Sequence, residues 1–137
     1  MWVSVLNSMD IFKPANILLA EDNELNKKVA VIMLERLGYR TDAVANGLEV
    51  LKAMKRRSYD LVLLNLCMPL MDGLEATRKI RRVCPQVKQP KIIGITAYIL
   101  PNIREICMDA GMNDCIIKPV GLSELRKLLY EHLPRDS

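Results

Sequence analysis

The chain has 137 residues, half of them apolar, and 20 Lys and Arg against 16 Asp and Glu give a formal charge of +4. That length suits one domain with one core, and that apolar content excludes a disordered tail. Six aromatics and a mild positive excess exclude base-stacking platforms on a dense basic stripe, so no nucleic-acid partner is expected. The four cysteines, Cys67, Cys84, Cys107 and Cys115, show no CxxC spacing, and the single His132 stands apart from them. A zinc site is not expected, and the thiols read as small core hydrophobes in a reducing compartment. Residues 1–15 lack the basic start and long apolar run of a signal peptide. The longest mainly apolar stretch, Ile92 to Leu100, is too short to span a bilayer. A cytoplasmic location without membrane contact is the expectation.

From Asn16 onward two periods alternate. Ile17-Leu18-Leu19-Ala20 is an apolar run stopped by Glu21-Asp22-Asn23, as for a strand buried on both faces of a parallel sheet. Leu25, Val29, Met33 and Leu37, widened by Ala30 and Leu34, predict an amphipathic helix capped by Asp22 or Asn23 and ended by Gly38. The unit then repeats. Thr41–Ala45 predicts a strand, and Leu48, Val50, Leu51 and Met54 a helix. Asp60–Leu64 predicts the third strand and Gly73–Val83 the third helix. Lys91–Ile95 predicts the fourth strand, followed by a helix opening near Pro101. Cys115–Ile117 is a brief fifth strand, and Leu122, Leu125, Leu128, Leu129 and Leu133 stripe a last helix. Five such units imply an α/β fold, a doubly wound five-stranded parallel sheet with helices on both faces.

In such folds the functional crevice lies at the carboxyl ends of the strands. Glu21 and Asp22 follow the first strand, Asn65 and then Cys67 the third, Thr96 the fourth, and Lys118-Pro119 the fifth. Two acids, an amide, a hydroxyl and an ammonium on one rim can hold a divalent cation and an oxyanion together. No Gly-rich dinucleotide loop or P-loop is present.

At these residues the sequence resembles the receiver domain of two-component response regulators, from about Asn16 to Leu133. The motifs are Glu21-Asp22-Asn23, Leu66-Cys67-Met68-Pro69 leading to Met71-Asp72-Gly73, Thr96-Ala97 and Lys118-Pro119. The run Glu21-Asp22-Asn23-Glu24-Leu25-Asn26 is further similar to receivers of hybrid sensor kinases. The resemblance implies a flavodoxin-like (βα)5 fold over residues 16–134, with 1–15 a leader or linker and 135–137 a tail. It implies signalling by phosphorelay, without enzymatic turnover by this domain, whether freestanding or part of a hybrid kinase. The implied partner is a histidine kinase or histidine phosphotransfer domain. A contact or dimer surface would lie on the fourth helix, fifth strand and fifth helix, with Arg104, Arg126 and Lys127. The resemblance assigns Mg²⁺ to Glu21, Asp22, the acceptor at position 65 and the backbone carbonyl of Cys67. It assigns phosphoryl contacts to Thr96 and Lys118.

The family's acceptor is an aspartate, and here it is Asn65. An amide carries no charge and its nitrogen lone pair is delocalised, so it cannot attack phosphorus as a carboxylate does. With one of three carboxylates gone, Mg²⁺ binding should weaken. Where the family usually places Tyr or Phe three residues before the lysine, this chain has Cys115, so the switch pair with Thr96 is altered as well. Two origins fit Asn65, an engineered change or a natural degenerate receiver. Cys115 favours the natural one. Two other functions compete: a phosphate-independent adaptor, and a Mg²⁺-dependent phosphotransfer enzyme, which would need a nucleophilic aspartate after a strand.

Plainer roles stand beside these. Glu21 and Asp22 could simply favour a helix start, and Lys118 could be their structural ion pair. The basic runs Lys55-Arg56-Arg57, Arg78-Lys79 and Arg81-Arg82 read as solvated helix faces. Met68 and Met71 read as loop packing, and Cys67 as a thiol exposed at the rim.

Overall fold

The computed structural model describes residues 13–83 and 88–133. Most of the expected leader, Trp2, Cys84 and the tail 135–137 lie outside the described residues. The elements follow the alternation: β1 (Ile17–Ala20), α1 (Glu24–Arg36), β2 (Thr41–Val44), α2 (Gly47–Arg56), β3 (Leu61–Asn65), α3 (Gly73–Val83), β4 (Lys91–Thr96), α4 (Ile103–Ala110), β5 (Asp114–Ile117) and α5 (Leu122–His132). The strands form one sheet in the order β2-β1-β3-β4-β5, and every pairing is parallel. The doubly wound sheet expected from the sequence is the one observed.

The apolar runs are continuous because both faces of the sheet are covered. Leu18, Val62, Leu64 and Ile92 pack with Val50, Ala53, Ile80 and Cys107 of α2, α3 and α4. Their neighbours Ile17, Leu19, Leu61, Leu63 and Ile93 pack on the other face with Leu34 of α1 and Leu125, Leu128 and Leu129 of α5. Successive side chains thus serve opposite layers. Each fully buried Leu or Ile contributes about 2 kcal/mol by leaving water.

Local chemistry sets the helix ends. Asn23 caps α1, its Oδ1 accepting from the Asn26 amide at 2.9 Å. Asn46 caps α2 by accepting from Glu49 N–H, while Glu49 accepts in return from Ala45 N–H. Asp72 accepts from the Glu75 amide at 2.8 Å in the first turn of α3. Gly111 ends α4 with φ of 110°, a conformation that suits glycine.

Four expectations are corrected. β3 runs one residue later than expected, so Asn65 is its last residue, paired with Ile95. α4 opens at Ile103, after a turn in which the Ile103 amide donates to Leu100 O at 3.1 Å; Pro101 lies before the helix. On α1 only Leu34 is buried, and Leu25, Val29 and Ile32 are exposed. Among the described residues no other element covers the outer part of that stripe. Arg81 is no solvated residue: its guanidinium donates to Gly111 O, Pro90 O, Gln89 Oε1 and Asn113 Oδ1, at 2.6–2.8 Å. Among the described residues no helix is long and apolar enough to cross a membrane.

Candidate functional site

The carboxyl ends of β1, β3, β4 and β5 bring the predicted residues to one rim. Glu21 follows β1, its amide donating to Val44 O at 3.0 Å, and Asp22 comes next. Asn65 ends β3, and Leu66 N–H continues the ladder to Ile95 O at 2.9 Å. Thr96 ends β4, and Lys118 follows β5 with its amide donating to Thr96 O at 2.7 Å. The Lys118–Pro119 peptide is cis. Glu21, Asn65 and Thr96 are buried, at 5, 7 and 2% exposure, whereas Asp22 and Cys67 are exposed.

α3 starts almost against the end of β3. A Cβ on Gly73 would stand 2.6 Å from the carbonyl oxygen of Asn65, which only a residue without a side chain allows. The Gly73 amide donates to Leu66 O at 3.0 Å and fixes this approach. Between them the loop carries Leu70 in a left-handed conformation, φ 69°, with its side chain exposed.

The hydrogen bonds define what the cluster is in this chain. Asn65 Nδ2 donates to Glu21 Oε2 at 3.0 Å and toward Asp22 Oδ1 at 3.3 Å. Its Oδ1 faces the Cys67 amide at 3.4 Å. Carboxylates only accept, so the amide nitrogen must turn toward them. Lys118 Nζ donates to the other oxygen, Glu21 Oε1, at 2.8 Å. The Asn23 amide also donates to Glu21 Oε2, at 3.1 Å. Burial pushes the Glu21 carboxyl up, but the bonds from Lys118 and Asn23 N–H outweigh it and leave its pKa below the ordinary value.

Thr96 Oγ1 accepts from the Tyr98 amide at 3.0 Å, which turns the loop after β4 back on the strand. Cys115 is half-buried and touches Cys107. Burial, the hydrogen bond with Cys107 and the nearby Asp114 charge push its thiol up to about 12. It packs as a small core group, with neither the ring nor the reactivity of a switch residue. Met71 is buried, and Met68 packs against the same core cluster, as expected.

Glu21 and Asp22 offer the hard oxygens a divalent cation prefers, but position 65 turns N–H donors where a third oxygen ligand would be. The residues therefore fit a cation only in part. Sequence reading identified all five rim positions and the Lys118–Glu21 pair. It did not name Glu21 and Asp22 as the partners of the Asn65 amide, which joins β1 to β3. The two N–H donors of Asn65 were the available signal.

Beside the rim, an apolar cavity of about 580 Å³ runs between α1 and the start of α5, lined by Leu25, Val29, Met33, Ile95 and Val120, with Glu21 and Lys118 at its polar end. Tyr98, Ile99 and Leu100 of the loop after β4 are exposed at the same end of the sheet. On the surface of α4, β5 and α5, Arg104 is held by Asp114 at 2.7 Å, and Arg126 and Lys127 are exposed.

A five-stranded parallel sheet in this order, with two acids, an amide, a hydroxyl and a lysine at its carboxyl rim, is the arrangement expected of a signalling receiver. Residues 17–130 match the response regulator receiver domain family, and the chain belongs to it. It is 37% identical to hybrid signal transduction histidine kinase K of Dictyostelium discoideum, over 88% of this chain and 11% of that protein. It is 39% identical to histidine kinase 5 of Arabidopsis thaliana, over 85% of this chain and 15% of that protein. The chain thus spans a small part of the curated relatives it matches. Among solved structures it is similar to the receiver domain of a Pseudomonas aeruginosa sensor histidine kinase with magnesium coordinated in its active-site cleft. That match has 39% identity and a TM-score of 0.79, covering 88% of this chain and 98% of that one. It is also similar to a chain of the Saccharomyces cerevisiae complex between the histidine phosphotransfer protein Ypd1 and the Ssk1 receiver domain. There the identity is 25% and the TM-score 0.81, with 89 and 90% covered.

Proposed function

We propose that this chain is a phosphorelay receiver in which Asn65 blocks phosphoryl acceptance. One observation carries the reading: the group at the acceptor position is an amide that donates hydrogen bonds to both acids. It offers no charged oxygen to attack phosphorus. Thr96 and Lys118 are the phosphoryl-contact positions by family, and here both already have partners, the Tyr98 amide and Glu21.

Mg²⁺ would be held by Glu21, Asp22 and the Cys67 backbone carbonyl, where it would neutralise the acids and an incoming phosphoryl group. The Asn65 amide takes part of that task, satisfying the two carboxylates from within the chain. Affinity should be lower than in a variant with aspartate at 65, because hard cations follow ligand charge. The partner is a histidine kinase or histidine phosphotransfer domain, consistent with the hybrid kinase relatives and the Ypd1 complex. Its apolar footing would be Leu25, Val29, Ile99 and Leu100 around the rim. Arg104, Arg126 and Lys127 mark a second contact or dimer surface, tested by whether their alanine variants weaken binding.

The experiment compares the native chain with Asn65→Asp in acetyl phosphate and Mg²⁺, followed by intact mass. The native chain is expected to stay unmodified, and the variant to gain a hydroxylamine-labile adduct. An adduct on the native chain would overturn the proposal. The same internal amide favours a second reading, an adaptor that binds its partner without metal or phosphate. In that case a chelator leaves binding to the partner domain unchanged, and Asn65→Asp fails to phosphorylate.

A further inference from the structure

Basic residues of α2 and α3 meet on the face of the sheet opposite α1 and α5. Lys55 in the last turn of α2 and Lys79 and Arg82 on α3 surround a groove of about 570 Å³. Its apolar floor is Leu51, Met54, Ile80 and Val83. Val83 is 72% exposed, so the floor reaches open solvent. Elsewhere Lys27, Arg57, Arg104 and Lys118 each face a carboxylate. Among the described residues no acid lines this groove or pairs with its three cations.

Cations left unpaired around a concave apolar floor attract an anionic ligand that also carries apolar groups. Three classes meet that description, and the groove selects among them. Nucleic acid would want a stacking platform, and among the described residues no aromatic side chain lines the groove. An anionic membrane would want several apolar residues that protrude from the surface, whereas here only Val83 does, and Leu51, Met54 and Ile80 are recessed between two helices. A protein segment can insert side chains into a slot of this volume and place carboxylates at its edges.

We propose that the α2–α3 groove docks an acidic protein segment that seats one or two apolar side chains on Leu51, Met54, Ile80 and Val83. Its carboxylates meet Lys55, Lys79 and Arg82. The proposal does not rest on the chemistry at Asn65. It leaves the carboxyl rim free, so one receiver can hold two partners at once.

The test uses the full chain and a set of labelled synthetic peptides with Leu and Phe at i, i+4 spacing flanked by Asp and Glu, followed by fluorescence anisotropy. Saturable binding is expected, weakened about tenfold or more by the double change Lys55→Glu and Arg82→Glu. Added salt should weaken it too, as should replacing Leu and Phe of the peptide by Ser. Circular dichroism of the variant should be native, because both sites are exposed. Lys79→Gln, a milder change, should give an intermediate loss. No saturable binding across the set, or binding indifferent to the charge reversal, would overturn the proposal. So would capture by phosphatidylserine vesicles at concentrations where the peptides do not bind.

Discussion

At the amino ends of the strands, Arg81 donates to three oxygens of the chain segments that lead into β4 and β5, and to Gln89. Asn113 Oδ1, one of those acceptors, also takes the Ile92 amide at 2.8 Å. Nearby strands are tied by Asn16 N–H to Asp60 and by Tyr59 Oη–H to Asp42 at 2.6 Å. At the carboxyl ends, Lys118 meets a single carboxylate, and that carboxylate also serves Asn65 and Asn23. The amino-end cation is satisfied by four neutral oxygens, two of them backbone carbonyls and two side-chain amides, so its removal leaves orphans. The carboxyl-end groups satisfy one another through flexible side chains, and each bond there is one a ligand could take over. One end holds the strands together; the other holds a position open to chemistry.

Substitutions can break or sharpen that contrast. Arg81→Met should be the most damaging, costing about 3 kcal/mol in urea unfolding, because several charge-assisted bonds go together. It should leave the rim chemistry intact. A loss under about 1 kcal/mol would show the amino-end network to be redundant.

Lys118→Met comes next, about 2 kcal/mol, since it strands the buried Glu21 carboxylate. The folded pKa of Glu21 lies below its ordinary 4.5, so its contribution is present above 4.5 and lost as pH falls through the folded value. In the variant that acid limb should shift upward. Carbon-13 titration of the carboxyl would read it directly.

Asn65→Asp should lower stability by about 1 kcal/mol without metal, by setting a third carboxylate beside two others, and Mg²⁺ should restore it. The native melting temperature should hardly respond to Mg²⁺. Equal responses of the two chains would remove the contrast.

Tyr59→Phe should cost least, about 0.5 kcal/mol. Burial, then the bond to Asp42, pushes the phenol up to about 12. Its contribution is therefore whole below pH 10 and lost as pH rises toward 12, and the variant should lack this alkaline limb.

The alternation of strands and helices was legible because strands buried on both faces leave unbroken apolar runs, as in Ile17–Ala20 and Leu61–Leu64. The rim residues were legible because polar residues interrupt those runs at the strand ends. Three things were not. Spacing marks Leu25 and Val29 as one stripe but says nothing of whether a neighbour covers them. A sequence shows the charge of Arg81 and hides its acceptors, which lie 8 to 32 residues away. The pairing of Asn65 with Glu21 joins residues 44 apart in the chain, and only the sheet register brings that amide beside the acids.

Gly73 carries no functional group, yet it limits what the neighbouring site can become. A methyl there would collide with the backbone of Asn65 and push the end of β3 out of line with Glu21 and Asp22. An aspartate at 65 would keep its place beside Glu21 and Asp22 only while 73 stayed bare. The bare position thus sets the tolerance of the reactive end of the strand, and it does so by occupying no space.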